Sequence, residues 1–194
     1  MKVMKFGGTS VGKPERMHQV AELITRDTEE KIVVLSALSG TTNTLVAIGE
    51  LLMQGDKPGA KQKIDELEQH YQQFISQLLQ RPDMQQKCRA IIADHFEFLN
   101  IILKISFNEA LNKDILAQGE LMSTKMFSCY LEEQGIDHVL LPALDFMSID
   151  SYEEPQVATI RGKLTQLLQQ YPHTKIFVTQ GYICRNARGE VDNL

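Results

Sequence analysis

The sequence predicts an α/β fold in which a mostly parallel sheet lies between two layers of helices. Residues 31–35 and 175–179 are short, almost continuous apolar runs, which are typical of strands buried on both faces. Segments with apolar residues every three or four positions alternate with these runs, as expected for helices with one apolar face. This alternation favours a parallel sheet covered by helices on both sides. We therefore expect a three-layer αβα sandwich.

The first third of the chain predicts two strands and two helices. Residues 1–6 indicate a short buried strand, and Pro14 suits the first position of a helix, where a missing N–H costs nothing. Apolar residues with helical spacing follow it at Met17, Val20, Ala21 and Ile24. After the strand at 31–35, a loop of small and hydroxyl-bearing residues leads into a helix over about 43–54.

The middle of the chain predicts only helices. Residues 57–80 carry apolar side chains at helical spacing, and Pro82 breaks this pattern before a second long helix over about 84–103. We expect the two to form a helical hairpin, an excursion from the α/β pattern at about 55–105. Residues 108–134 predict one or two further helices that end at Gly135.

The last third returns to the sheet. Residues 136–141 predict a strand, 155–170 a helix and 175–179 another strand. Residues 186–190 predict a turn, after which Val191 starts a hairpin partner. No helix or cap follows the last strand, so we expect an incomplete domain.

Composition excludes several classes of function. A chain of 194 residues that is 43% hydrophobic can form one domain with a real core. The net charge of −5 and the few aromatic residues argue against nucleic-acid binding, and no apolar run suits a membrane span or a secretory signal. The three cysteines, Cys88, Cys129 and Cys184, are widely spaced, and the histidines show no ligand spacing. We expect buried, reduced thiols in a cytoplasmic protein without a metal site.

The segment at the end of the first strand is the strongest candidate for a phosphate site. It consists of Lys5, Phe6, Gly7, Gly8, Thr9 and Ser10. Paired glycines after a strand let backbone N–H groups converge on an anion, and the preceding lysine adds a mobile positive charge. The same pattern is also typical of a plain tight turn with a solvated lysine. The segment alone therefore leaves both interpretations open.

An ordinary P-loop is rejected for the same region. Gly7, Gly12 and Lys13 match the first seven positions of the nucleotide-binding loop G-x-x-x-x-G-K-[ST]. The eighth position requires a hydroxyl that binds Mg²⁺, and Pro14 stands there instead.

Two further loops are predicted at the same edge of the sheet. The first follows the second strand and contains the hydroxyl residues Ser36, Ser39, Thr41 and Thr42; the second follows the last apolar strand over 180–184. Ligands of parallel sheets bind at the carboxyl ends of the strands, so we expect both loops to share one cleft with the glycine segment. A simpler interpretation is that Thr41 or Thr42 caps the next helix.

A glycine and a glutamate stand together inside a predicted helix. Gly119 costs about 1 kcal/mol there relative to alanine, which indicates that another element or a ligand comes close. Glu120 taken alone is best interpreted as a helical charge that faces solvent.

Four segments together resemble the aspartate kinases of the amino acid kinase family. The opening Lys5–Val11 is similar to the opening segment of that group, and residues 33–43 are similar to its second segment. Residues 118–124 and 178–183 are similar to its third and fourth. The order is the same and the match covers nearly the whole chain. The helical excursion also fits the group.

The resemblance implies an amino acid kinase (carbamate kinase-like) fold and an ATP- and Mg²⁺-dependent transfer of the γ-phosphoryl group to the β-carboxylate of L-aspartate. In the family, this reaction is the first step of lysine, threonine and methionine biosynthesis. It implies that Lys5, Gly7 and Gly8 contact the transferring phosphate and that Phe6, Thr9 and Ser10 complete the ATP site. It also implies a substrate site in which Ser36 and Thr42 contact aspartate, Glu120 pairs with its ammonium group and Tyr182 lines the cleft.

The family's next segment, a Gly-Arg-Gly-Gly-Ser-Asp loop, does not occur in this chain. The resemblance therefore implies residues 1–194 to be the amino-terminal, amino-acid-binding part of a catalytic domain, without the nucleotide-binding half or regulatory domains. We expect this part alone to be inactive and the parent to be a homo-oligomer, with or without a fused homoserine dehydrogenase. A kinase of glutamate, acetylglutamate or a nucleotide monophosphate, and a non-catalytic domain with this fold, stay open as alternatives.

Overall fold

Four parallel strands form the central sheet of the computed structural model, which describes residues 1–194. The strands are β1 (Lys2–Phe6), β2 (Lys31–Leu35), β3 (Val139–Leu140) and β4 (Ile176–Gln180), in the order β1-β2-β4-β3. In register, Phe6 lies beside Leu35 and Leu35 beside Gln180, so three strands end at the same level. A separate antiparallel hairpin of β5 (Ile183–Arg185) and β6 (Val191–Asn193) follows, as the sequence predicts.

Eight helices surround the sheet. They are α1 (Gly8–Val11), α2 (Pro14–Ile24), α3 (Thr41–Met53), α4 (Lys57–Leu78), α5 (Pro82–Ile102), α6 (Glu109–Glu133), α7 (Ala143–Phe146) and α8 (Val157–Gln169).

The helices lie on both faces of the sheet. The larger part of the core joins α2–α6 to one face and includes Val33, Leu35 and Val178 of the sheet. On the other face, Ile32 and Phe177 pack with α7 and with the half-buried apolar side chains of α8. The three-layer αβα arrangement is therefore confirmed.

The predicted excursion is a long helical hairpin. Helices α4 and α5 pack against each other, and α4 also packs on α3. Tyr71 of α4 is fully buried and makes an edge-to-face contact with Phe96 of α5, with ring centroids 5.7 Å apart. The apolar periodicity at 57–80 therefore marks a face that is buried in the structure.

The first strand differs from its prediction. Lys2, Val3 and Lys5 of β1 are exposed, and only Met4 and Phe6 are half-buried. The expectation of a buried strand was wrong because β1 is the edge of the sheet and the helices on the face that carries Val3 leave this side chain 69% exposed. The predicted strand at 136–141 is likewise shorter, since only Val139 and Leu140 pair with β4.

Two short helices have no counterpart in the sequence prediction. The glycine segment, expected to be a loop, continues from Gly8 as the single turn α1, and α7 occupies residues 143–146. Each is one turn long, too short to show a periodicity. Residues 108–134, expected to be one or two helices, form the single helix α6, whose first turn is capped by the Asn108 side chain accepting from the Leu111 N–H at 2.9 Å.

The three cysteines are free and buried, as expected from their spacing. No helix of the structure combines the length and the apolar character that crossing a bilayer requires.

Candidate active site

A cavity of about 370 Å³ lies where β1, β2 and β4 end. Its wall comprises Lys5, Gly8, the loop 36–40, Thr42, Asn43, Glu120 and Tyr182. The three loops that the sequence predicts at this edge therefore meet in one cleft. It brings together six of the predicted site residues: Lys5, Gly8, Ser36, Thr42, Glu120 and Tyr182.

Glycines at positions 8 and 12 allow α1 and the loop after β2 to approach each other closely. A Cβ atom on Gly8 would lie 3.1 Å from the Ala37 carbonyl oxygen, and one on Gly12 would lie 2.7 Å from the Ser39 Cβ. The first turn of α1 thus rests directly on the loop that follows β2. This contact, rather than a positive φ, explains the glycines, because neither has φ in the left-handed region.

The glycine inside α6 has the same function. A Cβ on Gly119 would lie 2.8 Å from the Cβ of Ala37, closer than real side chains come. Gly119 therefore lets the loop after β2 pack on the backbone of α6. The expectation that another element comes close to this glycine is confirmed.

Helix α6 also holds this loop by hydrogen bonds. The Ser123 hydroxyl donates to the Ser36 carbonyl oxygen at 2.8 Å, and the Ala37 N–H donates to Oε1 of Glu120 at 3.2 Å. Glu120 and Ser123 are three residues apart and so lie on one face of the helix. The loop that carries Ser36 is thereby fixed at two points.

Glu120 is a buried carboxylate rather than the solvent-facing charge that its sequence context alone suggests. Its exposed fraction is 3%, and Oε2 has no hydrogen-bond partner. Burial raises the pKa of this carboxyl to about 7, against the lowering effect of the Ala37 N–H. A cation placed beside Oε2 would stabilise the charged form.

Lys5 is the one cationic side chain that lines the cavity. It is exposed at the end of β1, and no ion pair or side-chain hydrogen bond engages its ammonium group. The lysine is therefore free to turn toward an anion. The anionic Glu120 and the cationic Lys5 give the cavity two walls of opposite charge.

Tyr182 completes the rim in a strained conformation. Its φ of 64° lies in the left-handed region, which a tyrosine rarely adopts. The neighbouring Gly181 N–H donates to the Leu35 carbonyl at 2.9 Å, and the Leu194 N–H donates to the Tyr182 carbonyl at 2.7 Å. Backbone bonds on both sides thus impose this conformation, and such strain is concentrated at functional sites.

The other residues of the glycine segment lie elsewhere. Phe6 and Ser10 line a separate cleft of about 290 Å³ together with Arg16 of α2. Gly7 and Thr9 line neither cavity. The structure therefore brings only Lys5 and Gly8 of the predicted ATP-binding residues into the central cleft.

The interpretation of Thr41 or Thr42 as a helix cap was wrong. Gly40, with φ of 86°, holds the N-cap position of α3, and no side chain caps it. Thr41 is buried, and its hydroxyl shares a hydrogen bond of 3.2 Å with the Tyr71 hydroxyl. Thr42 lines the cavity.

Two residues that support the site were missed. Ser123 holds the loop after β2, and Gln180 joins the end of β4 to two helices. The Gln180 side chain accepts from the Ala143 N–H at 2.7 Å and donates to the Thr124 hydroxyl at 2.8 Å. A polar side chain at the end of a buried strand, as at Gln180, is a signal that sequence reasoning can use.

Sequence comparisons identify the relatives of the chain. The sequence profile of the amino acid kinase family matches residues 1–194. The chain is 31% identical over 189 residues to the bifunctional aspartokinase/homoserine dehydrogenase 2 of Escherichia coli, covering 96% of this chain and 23% of that protein. It is 39% identical over 142 residues to the chloroplastic aspartokinase 3 of Arabidopsis thaliana, covering 69% of this chain and 24% of that protein.

A solved structure shows the same fold. Escherichia coli aspartokinase III in complex with lysine and aspartate matches with a TM-score of 0.82 and 28% identity, over 100% of this chain and 43% of that one. The same enzyme in complex with aspartate and ADP matches with a TM-score of 0.82 and 27% identity. The chain spans less than half the length of these relatives.

Proposed function

Because this chain belongs to the amino acid kinase family, we propose that it provides the amino-acid-binding part of an aspartate kinase. The reaction transfers the γ-phosphoryl group of ATP to the β-carboxylate of L-aspartate and yields aspartyl phosphate. This is the first step toward lysine, threonine and methionine.

The observation that carries the proposal is the unpartnered oxygen of Glu120 in the cleft. Oε2 is buried without a partner in a cavity that also contains hydroxyl groups and one lysine. A substrate ammonium group would satisfy this oxygen, which gives a chemical reason to bind an amino acid rather than a simple dicarboxylate. We propose that Ser36 and Thr42 bind the rest of the amino acid and that Tyr182 closes the rim.

The proposed chemistry requires no general base. A free aspartate carboxyl group has a pKa near 3.9, so it is already a nucleophile at neutral pH. Catalysis then consists of positioning and of neutralising charge on the transferring group. We propose that Lys5 and the Gly8 backbone meet that group, with Phe6, Gly7, Thr9 and Ser10 shaping the adjoining segment.

The residues that line the cavity do not form a ligand set for Mg²⁺. Glu120 is the only carboxylate that lines the cavity, and no group of three or more histidine, cysteine or acidic side chains is arranged to hold a metal. We therefore propose that Mg²⁺ arrives with the phosphates of ATP, its usual partners.

The complete kinase would be longer than this chain. We propose that the remaining contacts to the nucleotide come from chain beyond this amino-acid-binding part, since the relatives are more than twice as long. We also propose a homo-oligomeric enzyme of the cytoplasm, a reducing compartment that suits the three free thiols.

Two substitutions in the complete kinase test the assigned roles. We expect Lys5→Ala to lower kcat, because Lys5 acts on the transferring group, and Glu120→Ala to raise the KM for aspartate. Lys61→Ala, in an exposed pair with Asp65 on α4, is the matched control. Steady-state kinetics with aspartate and glutamate as alternative substrates supply the measurement. Unchanged kinetics in both site variants, or turnover of glutamate alone, would contradict the proposal.

The isolated 194-residue chain gives a second test. We expect no turnover in a hydroxylamine trap for aspartyl phosphate, because the nucleotide contacts are incomplete. Efficient formation of aspartyl phosphate by this chain would contradict the proposal that the remaining nucleotide contacts come from a further part of the kinase.

A further inference from the structure

A second cavity lies near the carboxyl end of α6, away from the candidate active site. Its volume is about 500 Å³, and its wall comprises Ser128, Glu132, residues 135–138 and Leu140. Ser128 is eight residues beyond Glu120, which places it roughly 12 Å farther along the helix. The two cavities share no lining residue.

The cavity contains a serine hydrogen-bonded to a histidine. The Ser128 Oγ lies 2.6 Å from Nε2 of His138, and Nδ1 of the same ring lies 2.9 Å from the Ile136 carbonyl oxygen. A carbonyl oxygen only accepts, so Nδ1 carries a proton and donates it. In the neutral ring Nε2 is then an acceptor, and the Ser128 hydroxyl donates to it.

The turn after α6 fixes this geometry. Gly135 has φ of 67°, a left-handed conformation that reverses the chain, and the Ile136 N–H donates to the Leu131 carbonyl at 2.9 Å. This turn brings His138 back beside the helix at Ser128. The Ile136 carbonyl then selects the ring tautomer, as a third group orients the base in serine enzymes.

The surroundings favour an uncharged reactant. Glu132 is neutralised by Lys87, whose ammonium group lies 2.6 Å away, while Asp137 has no salt-bridge partner. An anionic reactant would meet the Asp137 carboxylate. The backbone N–H groups of Asp137 and His138 have no hydrogen-bond partner in the protein and are free to donate.

We propose that Ser128 and His138 form a nucleophile–base pair that accepts the acyl group of a small, uncharged activated ester. A bond forms between Oγ and the acyl carbon while the bond from that carbon to the leaving oxygen breaks. The hydroxyl proton passes to Nε2 and then to the leaving group. Water cleaves the acyl-serine afterwards and releases a carboxylic acid.

Acylation by p-nitrophenyl acetate tests this pair in the 194-residue protein. We expect a burst of p-nitrophenolate and an acetyl group on Ser128, located by peptide mass spectrometry. Ser128→Ala removes both signals. His138→Gln retains a donor to the Ile136 carbonyl but no base, and slows acylation on the order of 10²-fold. Ser76→Ala, an exposed helical serine without a histidine neighbour, is the matched control and changes neither signal.

The result is independent of kinase activity, so its failure leaves the proposed function standing. Circular dichroism of each variant confirms that the fold is intact. Acetylation confined to lysines, equal labelling of wild type and Ser128→Ala, or an unchanged rate in a folded His138→Gln variant would overturn the proposal.

Discussion

At the scale of single residues, the proposed role of Glu120 in binding an ammonium group conflicts with the stability of the folded protein. Its carboxyl group is 3% exposed, one oxygen has no partner, and burial raises its pKa to about 7. An ammonium group would bind to the ionised form of the Glu120 carboxyl group. In the absence of ligand, that ionised form is buried without a partner and destabilises the folded protein. The proposed binding of an ammonium group at Glu120 would remove this cost in stability.

Glu120→Gln tests this conflict through the pH dependence of stability. In the folded state the Glu120 carboxyl group keeps its proton up to about pH 7, whereas in the unfolded state it loses the proton above its ordinary pKa near 4.5. The free energy of unfolding therefore falls as the pH rises from about 4.5 to about 7. Relative to wild type, we expect the variant to gain about 2–3 kcal/mol more at pH 8 than at pH 5. Urea unfolding measures this difference. Glu97→Gln, on the exposed face of α5, is the control, and an equal gain at both pH values would refute the argument.

His95 makes stability depend on pH in the direction opposite to Glu120, because it destabilises the folded protein at low pH. Its Nδ1 lies 2.7 Å from the Gln118 amide oxygen and its Nε2 lies 2.9 Å from the Lys125 ammonium, so the ring is neutral and accepts from the lysine. Burial, opposed by the Gln118 hydrogen bond and assisted by the charge of Lys125, lowers the pKa of His95. The stability that the neutral ring provides is therefore present above the unfolded pKa near 6.5 and is lost as pH falls below it.

We accordingly expect wild type to lose stability relative to His95→Gln between pH 7 and pH 5.5. Chemical unfolding at a series of pH values measures the difference, and His173→Gln, an exposed histidine, is the control. Parallel curves for wild type and His95→Gln would show that the buried ring is not the titrating group.

Residue types at the site were easier to predict than their surroundings. Lys5 lies near the carboxyl end of β1, Ser36 and Thr42 come after β2 and Tyr182 comes after β4. The rule that parallel sheets bind ligands at the carboxyl ends of their strands places these residues together. Glu120 stands inside a helix, where a buried and an exposed charge look alike in sequence. The loop after β2 packs on Gly119 and its Ala37 N–H donates to Glu120, and both contacts are tertiary.

At the scale of elements, α6 organises the site. This helix of 25 residues presents Gly119, Glu120 and Ser123 to the loop after β2. Its contacts with that loop are backbone packing at the glycine and two hydrogen bonds. One face of α6, together with α1 on the other side, therefore sets the position of the loop.

Gly119→Ala tests this dependence. The added methyl would lie 2.8 Å from the Ala37 Cβ, so the loop must move, and we expect a loss of about 1–3 kcal/mol in unfolding free energy. Gly162→Ala in the exposed part of α8 meets no atom within 4 Å and is the matched control. It should gain about 0.5–1 kcal/mol from helix propensity. Thermal or urea unfolding compares the two, and a gain in both variants would contradict close packing at Gly119.

Elements were predictable where their apolar pattern is long. Helices α2, α4 and α5 show several turns of helical spacing, and the structure buries those positions. The turns α1 and α7 are too short for a pattern. The exposure of β1 was missed because sequence alone does not reveal which strand lies at a sheet edge.

At the scale of the whole molecule, the sheet has one covered and one partly open face. Beside β1 and α8 lies a groove of about 310 Å³ whose wall is mostly apolar and includes Val3, Val34 and Leu164. Val3 is 69% exposed, and β1 has no neighbour on its outer edge. Exposed apolar surface next to an open strand edge is a template for association.

The 194-residue protein should therefore self-associate through this edge, and Val3→Lys should reduce the association. A lysine at position 3 places charge in the groove and on the edge strand, a combination that natural sheets use to prevent pairing. Met53→Lys replaces a side chain of similar exposure, 65%, at the end of α3 and is the matched control. Sedimentation velocity over a concentration series should show a rising mass for wild type and Met53→Lys and a constant one for Val3→Lys. If the mass of all three is constant, the groove is not an association surface; if Met53→Lys alone loses association, the interface lies at α3 instead.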